Sequence, residues 1–185
     1  MSSDLPAASP SATARTADRT AAARTAARFT FEQVAWNDPR AVALRTRMDI
    51  EMGERYHAGG PMNAAVAAVL TVDPATVRAT VLVVDTDGTP IGHAALRILA
   101  GEWEVKRVIV DGDQRGRGVG SALMRELERI VRLEAPDARR IILQTGDKQP
   151  EAVALYTRLG YTPIPTYEPY VEAIPQSLCF ELLLG

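Results

Sequence analysis

The sequence predicts a mixed α/β domain, one central sheet flanked by helices. Three observations predict it. Segments of helical period alternate with β-rich runs along most of the chain. Two such runs, "RATVLVV" and "TPIGHAALRIL", flank Asp87-Gly88, a strong hairpin dipeptide. A third strand then meets a glycine-rich turn that opens a helix, "QRGRGVGSALMRELERI", Gln114 to Ile130. The 185 residues suffice for one domain with a real core, and 46% apolar with 24% charged residues is a normal globular mix.

Residues 1–27 are mostly Ala, Thr, Ser and Arg, with Leu5 the only large apolar side chain after Met1. Such a segment cannot bury enough surface to offset its ordering entropy, so a disordered tail or a weak helix is expected. The domain is expected over residues 28–185. It starts with alternation in "RFTFEQVA", a strand from Arg28 to Ala35. A helix follows, with Asn37 or Asp38 as N-cap and Pro39 in its first turn. Leu44, Met48 and Met52 form its apolar face, and His57, Gly59, Gly60 and Pro61 end it. "NAAVAAVL" predicts a short helix, closed before Asp73-Pro74. The hairpin comes next, then the strand "EWEVKRVIV" after Gly101.

In the helix after the glycine-rich turn, Leu123, Met124, Leu127, Ile130 and Val131 make a stripe. Arg125, Glu126, Glu128, Arg129 and Arg132 are expected to face away. "RRIILQT" reads as a buried strand. "PEAVALYTRLG" reads as a helix with Pro150 in its first turn and Gly160 as cap. Strands near "YTPIPTY" and "SLCFELLL" complete the order β-α-α-β-β-β-α-β-α-β-β.

A net charge of −2 argues against a dedicated nucleic-acid binder. No apolar run is long enough to span a bilayer, and the chain start lacks a secretory apolar region. The single cysteine, Cys179, fits a reduced, cytoplasmic setting and reads as a buried small apolar group. Two histidines and one cysteine make no metal site. Asp85, Asp87, Asp111 and Asp113 are turn acids without the other ligands of a calcium loop. His93 reads as structural, and His57 suits the C-terminal end of its helix.

The glycine-rich turn has the makings of an anion site. The first N–H groups of a helix have no internal partner and the helix dipole favours negative charge there. Glycines let a phosphate approach, and Arg115 and Arg117 add donors. It is not a Walker loop, which needs a lysine, nor a dinucleotide fingerprint, because Ser121 stands where a third glycine or alanine belongs. Local features alone leave open a tight turn with two solvated arginines.

The wider pattern resembles the GNAT family of acyl-CoA N-acyltransferases. "RGRGVG" (Arg115 to Gly120) matches the family's R/Q-x-x-G-x-G/A signature. "EVKRVIV" is similar to its central strand and "ALYTRLGY" to its late helix. "ERY", "QPEAVALYTRLGY", "IPTYEPY" and "SLCFE" resemble a bacterial subgroup. The resemblance spans roughly residues 29–184. It implies a mixed sheet with a splayed central strand pair, acetyl-CoA as cosubstrate, an amine acceptor and no metal; dimers are frequent in the family.

By resemblance, Val108, Ile109 and Val110 would pair with the pantetheine arm. The N–H groups of Arg115, Gly116, Arg117, Gly118, Val119, Gly120 and Ser121 would hold the pyrophosphate. Gln149 stands where many relatives carry Asn, and Gln144 where many carry Glu. Tyr156 is the expected proton donor to the leaving sulfur, the other reading being an amphipathic core tyrosine. A backbone N–H near Val108 would meet the oxyanion. Glu104 is the candidate general base, with a strand ion pair as the alternative reading. Arg55, Tyr56, Tyr167 and Tyr170 are candidate acceptor contacts. The expected activity is transfer of an acetyl group from acetyl-CoA to a primary amine; the alternative is a non-catalytic acyl-CoA-binding module.

Overall fold

The computed structural model describes residues 29–58 and 60–185. The expected tail, residues 1–27, lies outside the described residues, as does Arg28. The elements follow the expected order. β1 (Phe29–Val34) leads to helix α1 (Pro39–His57) and short helix α2 (Ala64–Leu70). β2 (Val77–Asp85), β3 (Pro90–Leu99) and β4 (Glu102–Val110) form an antiparallel meander. Helix α3 (Val119–Glu134), β5 (Arg140–Thr145), helix α4 (Pro150–Arg158) and β6 (Thr162–Ile164) come next. A single helical turn, α5 (Tyr170–Ala173), precedes β7 (Leu178–Leu183). That turn and two short 3₁₀ segments, Pro74–Thr76 and Gly112–Gln114, were not expected; pieces of three or four residues carry too little periodicity to read.

The seven strands make one sheet in the order β1-β2-β3-β4-β5-β7-β6. Among the described residues only β4 and β5 pair in parallel. Their pairing covers Trp103–Ile141, Glu104–Ile142 and Val105–Leu143 and then stops, although β4 continues to Val110. The two strands thus part after Val105, which leaves the second half of β4 open on that side.

Both faces of the sheet are covered, so β2 reads as a run of buried residues instead of an alternation. On one face, Leu123, Met124, Leu127, Ile130 and Val131 of α3 pack on Val81, Val83, Ile91 and Leu96, as the stripe predicted. Each fully buried aliphatic side chain contributes about 1.5–3 kcal/mol. Glu128 departs from its expected outward position: it is half-buried, and burial raises its carboxyl above the usual range. On the other face Ala41 and Leu44 of α1 pack on Leu82, Val84 and Ile109. Asp38 is the α1 cap, its Oδ1 accepting from Arg40 N at 2.8 Å.

β4 carries a bulge next to the opening. His93 pairs with Ile109 but Ala95 pairs with Lys106, so the strand holds an extra residue between them. Arg107 sits there with φ +56, a left-handed conformation that costs a non-glycine residue on the order of 1 kcal/mol. Its surroundings hold it in place. Its guanidinium pairs with Asp49 and its carbonyl faces His93 Nδ1 at 2.9 Å. A carbonyl only accepts, so Nδ1 carries the imidazole proton, and Nε2 accepts from Arg45 Nη1 at 3.1 Å. His93 is thus a neutral clamp on the bulge.

Burial, with Arg45 and Arg107 nearby, pushes the His93 pKa down to about 4. The unfolded chain takes up this proton near pH 6.5. The stability contributed by the site is therefore complete above pH 6.5 and lost as pH falls toward 4, a loss of about 3 kcal/mol. Urea unfolding of the wild type and His93→Gln between pH 7 and 4.5 checks this: the wild type should lose the larger share of its stability.

Candidate functional site

Two cavities meet at the open half of β4. The first, about 560 Å³, is lined by Val108, Ile109 and Val110, the turn residues Gln114, Arg115, Gly116 and Gly118, and Val119, Gly120 and Ser121 of α3. The second, about 470 Å³, lies between α1, α2 and the parted strands. Met48, Met52, Val108, Gln149 and Tyr156 line both. Tyr156 comes from α4 and packs in the core beside Tyr161 and Phe180.

The turn is built to take an anion. Gly116 and Gly118 have φ of +79 and +83, and Gly118 is the left-handed cap of α3, with no side chain capping the helix. A Cβ at either position would meet nothing within 4 Å, so the space above the turn is open. Among the described residues, no backbone N–H from Gly116 to Ser121 donates to a carbonyl or side chain; the first such bond beyond the turn runs from Ala122 N to Gly118 O. A run of free N–H groups at a helix start suits a phosphate or pyrophosphate.

The two arginines divide. Arg115 lines the first cavity, and its Nη2 donates to both carboxylate oxygens of Glu51, at 2.9 and 2.7 Å. Arg117 does not line it; its side chain turns back to Gln114 and to Asp85 at 3.1 Å. The expectation that both side chains face one phosphate therefore fits Arg115 only. The Arg117 backbone N–H stays in the turn.

Tyr156 is 5% exposed, and burial alone raises its hydroxyl pKa well above the ordinary 10. It stays protonated at neutral pH, and among the described residues its hydroxyl has no hydrogen-bond partner. Gln149 precedes α4 and reaches both cavities.

Of the two readings of Glu104, the structure shows the strand ion pair. It is fully buried, and it lines neither cavity. Its Oε2 accepts from Arg97 Nε at 2.5 Å, and its Oε1 accepts from the hydroxyls of Tyr167 and Tyr170, each at 2.8 Å. The reason is topological. Glu104 lies in the half of β4 that still pairs with β5, below the point where the strands part. The same network explains why Tyr167 and Tyr170, expected at the acceptor, are absent from the cavity walls. Arg55 is absent too, held by Glu51 and Glu151.

Of the expected acceptor contacts, Tyr56 is in the second cavity. Its hydroxyl accepts from Lys148 N at 2.8 Å, and a Cβ on Gly146 would run into its ring. Gly146→Ala should therefore expel Tyr56 from the wall, raising acceptor KM at least tenfold with little change for the cosubstrate. Steady-state kinetics with both substrates varied checks this. His57 and Gln144 also line this cavity, and Gln144 Nε2 donates to Ser177 Oγ at 3.1 Å. Sequence reasoning missed Met62, Val66, Leu70, Lys106, Ile174 and Gln176 as wall residues. Only Lys106 carried a signal, a lysine inside a buried strand beside Arg107.

Among the described residues, no group of three or more His, Cys, Asp or Glu could hold a metal, and no helix is long and apolar enough to cross a membrane. Cys179 is free and buried.

Known proteins share this fold. The acetyltransferase (GNAT) family pattern matches residues 54–161. A Klebsiella pneumoniae structure assigned to the acyl-CoA N-acyltransferases is 28% identical, with a TM-score of 0.69 over 85% of this chain and 98% of that one. A GNAT-family acetyltransferase from Staphylococcus aureus shares the fold at 13% identity and a TM-score of 0.62, over 84% of this chain and all of that one (100%). An Azospirillum brasilense protein named IAA acetyltransferase is 33% identical over 91 residues, 48% of this chain. The chain spans 58% of that relative's length.

Proposed function

The chain belongs to the GNAT acetyltransferase family, and from that premise we propose that it transfers the acetyl group of acetyl-CoA to a primary amine. The observation that carries this reading is the shared wall. Tyr156 and Val108 stand where a cavity with a phosphate-ready turn meets a cavity with an apolar interior.

The cosubstrate fits the first cavity. Its pyrophosphate takes the free N–H groups from Gly116 to Ser121, with Arg115 beside it. Its pantetheine arm runs along Val108, Ile109 and Val110, which the parting of β5 leaves open. The thioester then reaches Tyr156. The acceptor enters from the second cavity.

Its amine must attack as the neutral base, and freeing a lysine-like amine at pH 7 costs about 4–5 kcal/mol. Nitrogen bonds to the thioester carbon, and a backbone N–H near Val108 meets the oxyanion. As the C–S bond breaks, the Tyr156 hydroxyl gives its proton to the departing sulfur. The proton released by nitrogen restores the phenol, and the products are an N-acetyl amine and free CoA. Glu104 takes no substrate proton in this scheme. It fixes Arg97, Tyr167 and Tyr170 behind the second cavity.

Calorimetric titration with CoA tests the cosubstrate half. Gly118→Val places a β-branched residue at φ +83 and a side chain over the turn, and should weaken CoA binding about 100-fold or more. A wild type that does not bind CoA would overturn the reading.

A further inference from the structure

Lys106 is the one lysine side chain buried in this fold, at 6% exposure, and it belongs to the wall of the second cavity. Its Nζ donates to the Tyr170 hydroxyl at 2.8 Å and lies 4.8 Å from that ring's centroid. Tyr170 is saturated: it accepts from Lys106 and from Arg97 Nη2 at 3.0 Å, and donates to Glu104. The ammonium has three donors, and the tyrosine takes one.

The charges around it do not balance. Glu104 is the buried carboxylate of the cluster, and it is spent on Arg97 and two tyrosine hydroxyls. Among the described residues Lys106 forms no ion pair. Arg107, also in the cavity wall, is matched by Asp49. Asp147 lies at the exposed rim. The inner end of the cavity therefore carries one surplus positive charge. The same cavity wall carries the apolar side chains Met48, Met52, Met62, Val66, Leu70 and Ile174, and the uncharged amides of Gln144 and Gln176. Burial lowers the Lys106 pKa to about 8, with Glu104 opposing the fall, so the ammonium keeps its proton at pH 7, and an anion that takes its free donors offsets the cost of burying it.

We propose that the acceptor is an amine that also bears a carboxylate on an apolar body, of the kind an α-amino acid with a large apolar side chain presents, and that Lys106 binds its carboxylate. This rests on the acceptor site of the proposed acetyl transfer. The apolar body lies against the methionines, and the amine faces Val108 and Tyr156. Polyamines and aminoglycosides, with several cationic centres and no anion, fit this wall poorly.

The test is a binding measurement, so that it does not depend on turnover. L-phenylalanine, L-phenylalaninamide and phenethylamine are titrated by calorimetry into the protein in the presence of CoA, for the wild type and for Lys106→Met. The wild type should bind the carboxylate at least 10- to 100-fold more tightly than the amide or the amine. Lys106→Met should reduce all three to the same weak level by weakening the acid alone. Equal affinity of the wild type for acid and amide, failure of all three to bind, or a Lys106→Met variant that still prefers the acid overturns the assignment. Carboxylate-selective binding without release of CoA thiol from acetyl-CoA would leave the Lys106 site standing and overturn acetyl transfer instead.

Discussion

Tyr156→Phe is expected to lower kcat about 10²–10⁴-fold with the KM for acetyl-CoA nearly unchanged, the usual scale for removing a general acid. The ring stays, and with it the contacts to Tyr161 and Phe180 that seat α4. Only the hydroxyl is lost, and among the described residues nothing else depends on that hydroxyl. The variant should therefore melt within a degree or two of the wild type. The phenol pKa is raised by burial, so the acid form persists past pH 10 and the wild type should show no loss of kcat from this group below that pH. Rate profiles for wild type and variant, measured at saturating acetyl-CoA, decide the point. An unchanged kcat would remove Tyr156 from the mechanism.

Glu104→Ala is expected to act on the fold. It leaves the Arg97 guanidinium buried without its carboxylate and strands the Tyr167 and Tyr170 hydroxyls. Breaking such a buried pair costs about 3–5 kcal/mol. For a chain of this size the melting temperature should drop by roughly 6–20 °C. Glu104→Gln keeps the side-chain shape and an amide oxygen that accepts from the tyrosines. Although it too leaves Arg97 without a carboxylate, it should destabilise less than Glu104→Ala and allows catalysis to be read. The variant should fold and keep kcat within about tenfold of the wild type. A well-folded Glu104→Gln that loses more than about 100-fold would show that the carboxylate does take the substrate proton.

The contrast between these two residues shows what the sequence makes legible. The strands, the long helices and the buried stripe of α3 follow from periodicity and turn residues, which are local. The glycine turn is equally local: a bare helix start can be read from Arg115 to Gly120 directly. Tyr156 is marked by the complete motif frame around it, and the structure puts it on the wall that the two cavities share. Glu104 was placed on the right strand, but its role turns on where β4 and β5 part, and that point depends on pairing between residues far apart in sequence. The same holds for the acceptor wall. By sequence resemblance Tyr167 and Tyr170 read as acceptor contacts, yet they are drawn inward by Arg97, Lys106 and Glu104 from two other strands. Arg117 and Glu128 missed for a smaller reason: periodicity gives a direction for a side chain but not the partner that bends it, here Asp85 for Arg117.

The central claim is that the two cavities bring a thioester and an amine together at Tyr156. Release of CoA thiol from acetyl-CoA by the full chain tests it most directly, followed across amino acids, polyamines, aminoglycosides and peptide N-termini, with the acetylated product weighed by mass spectrometry. The account predicts thiol release matched one-to-one by an N-acetylated amine. Saturable acetyl-CoA binding with no thiol released beyond the amine-free rate, for every class of amine, would contradict it and leave an acyl-CoA-binding module.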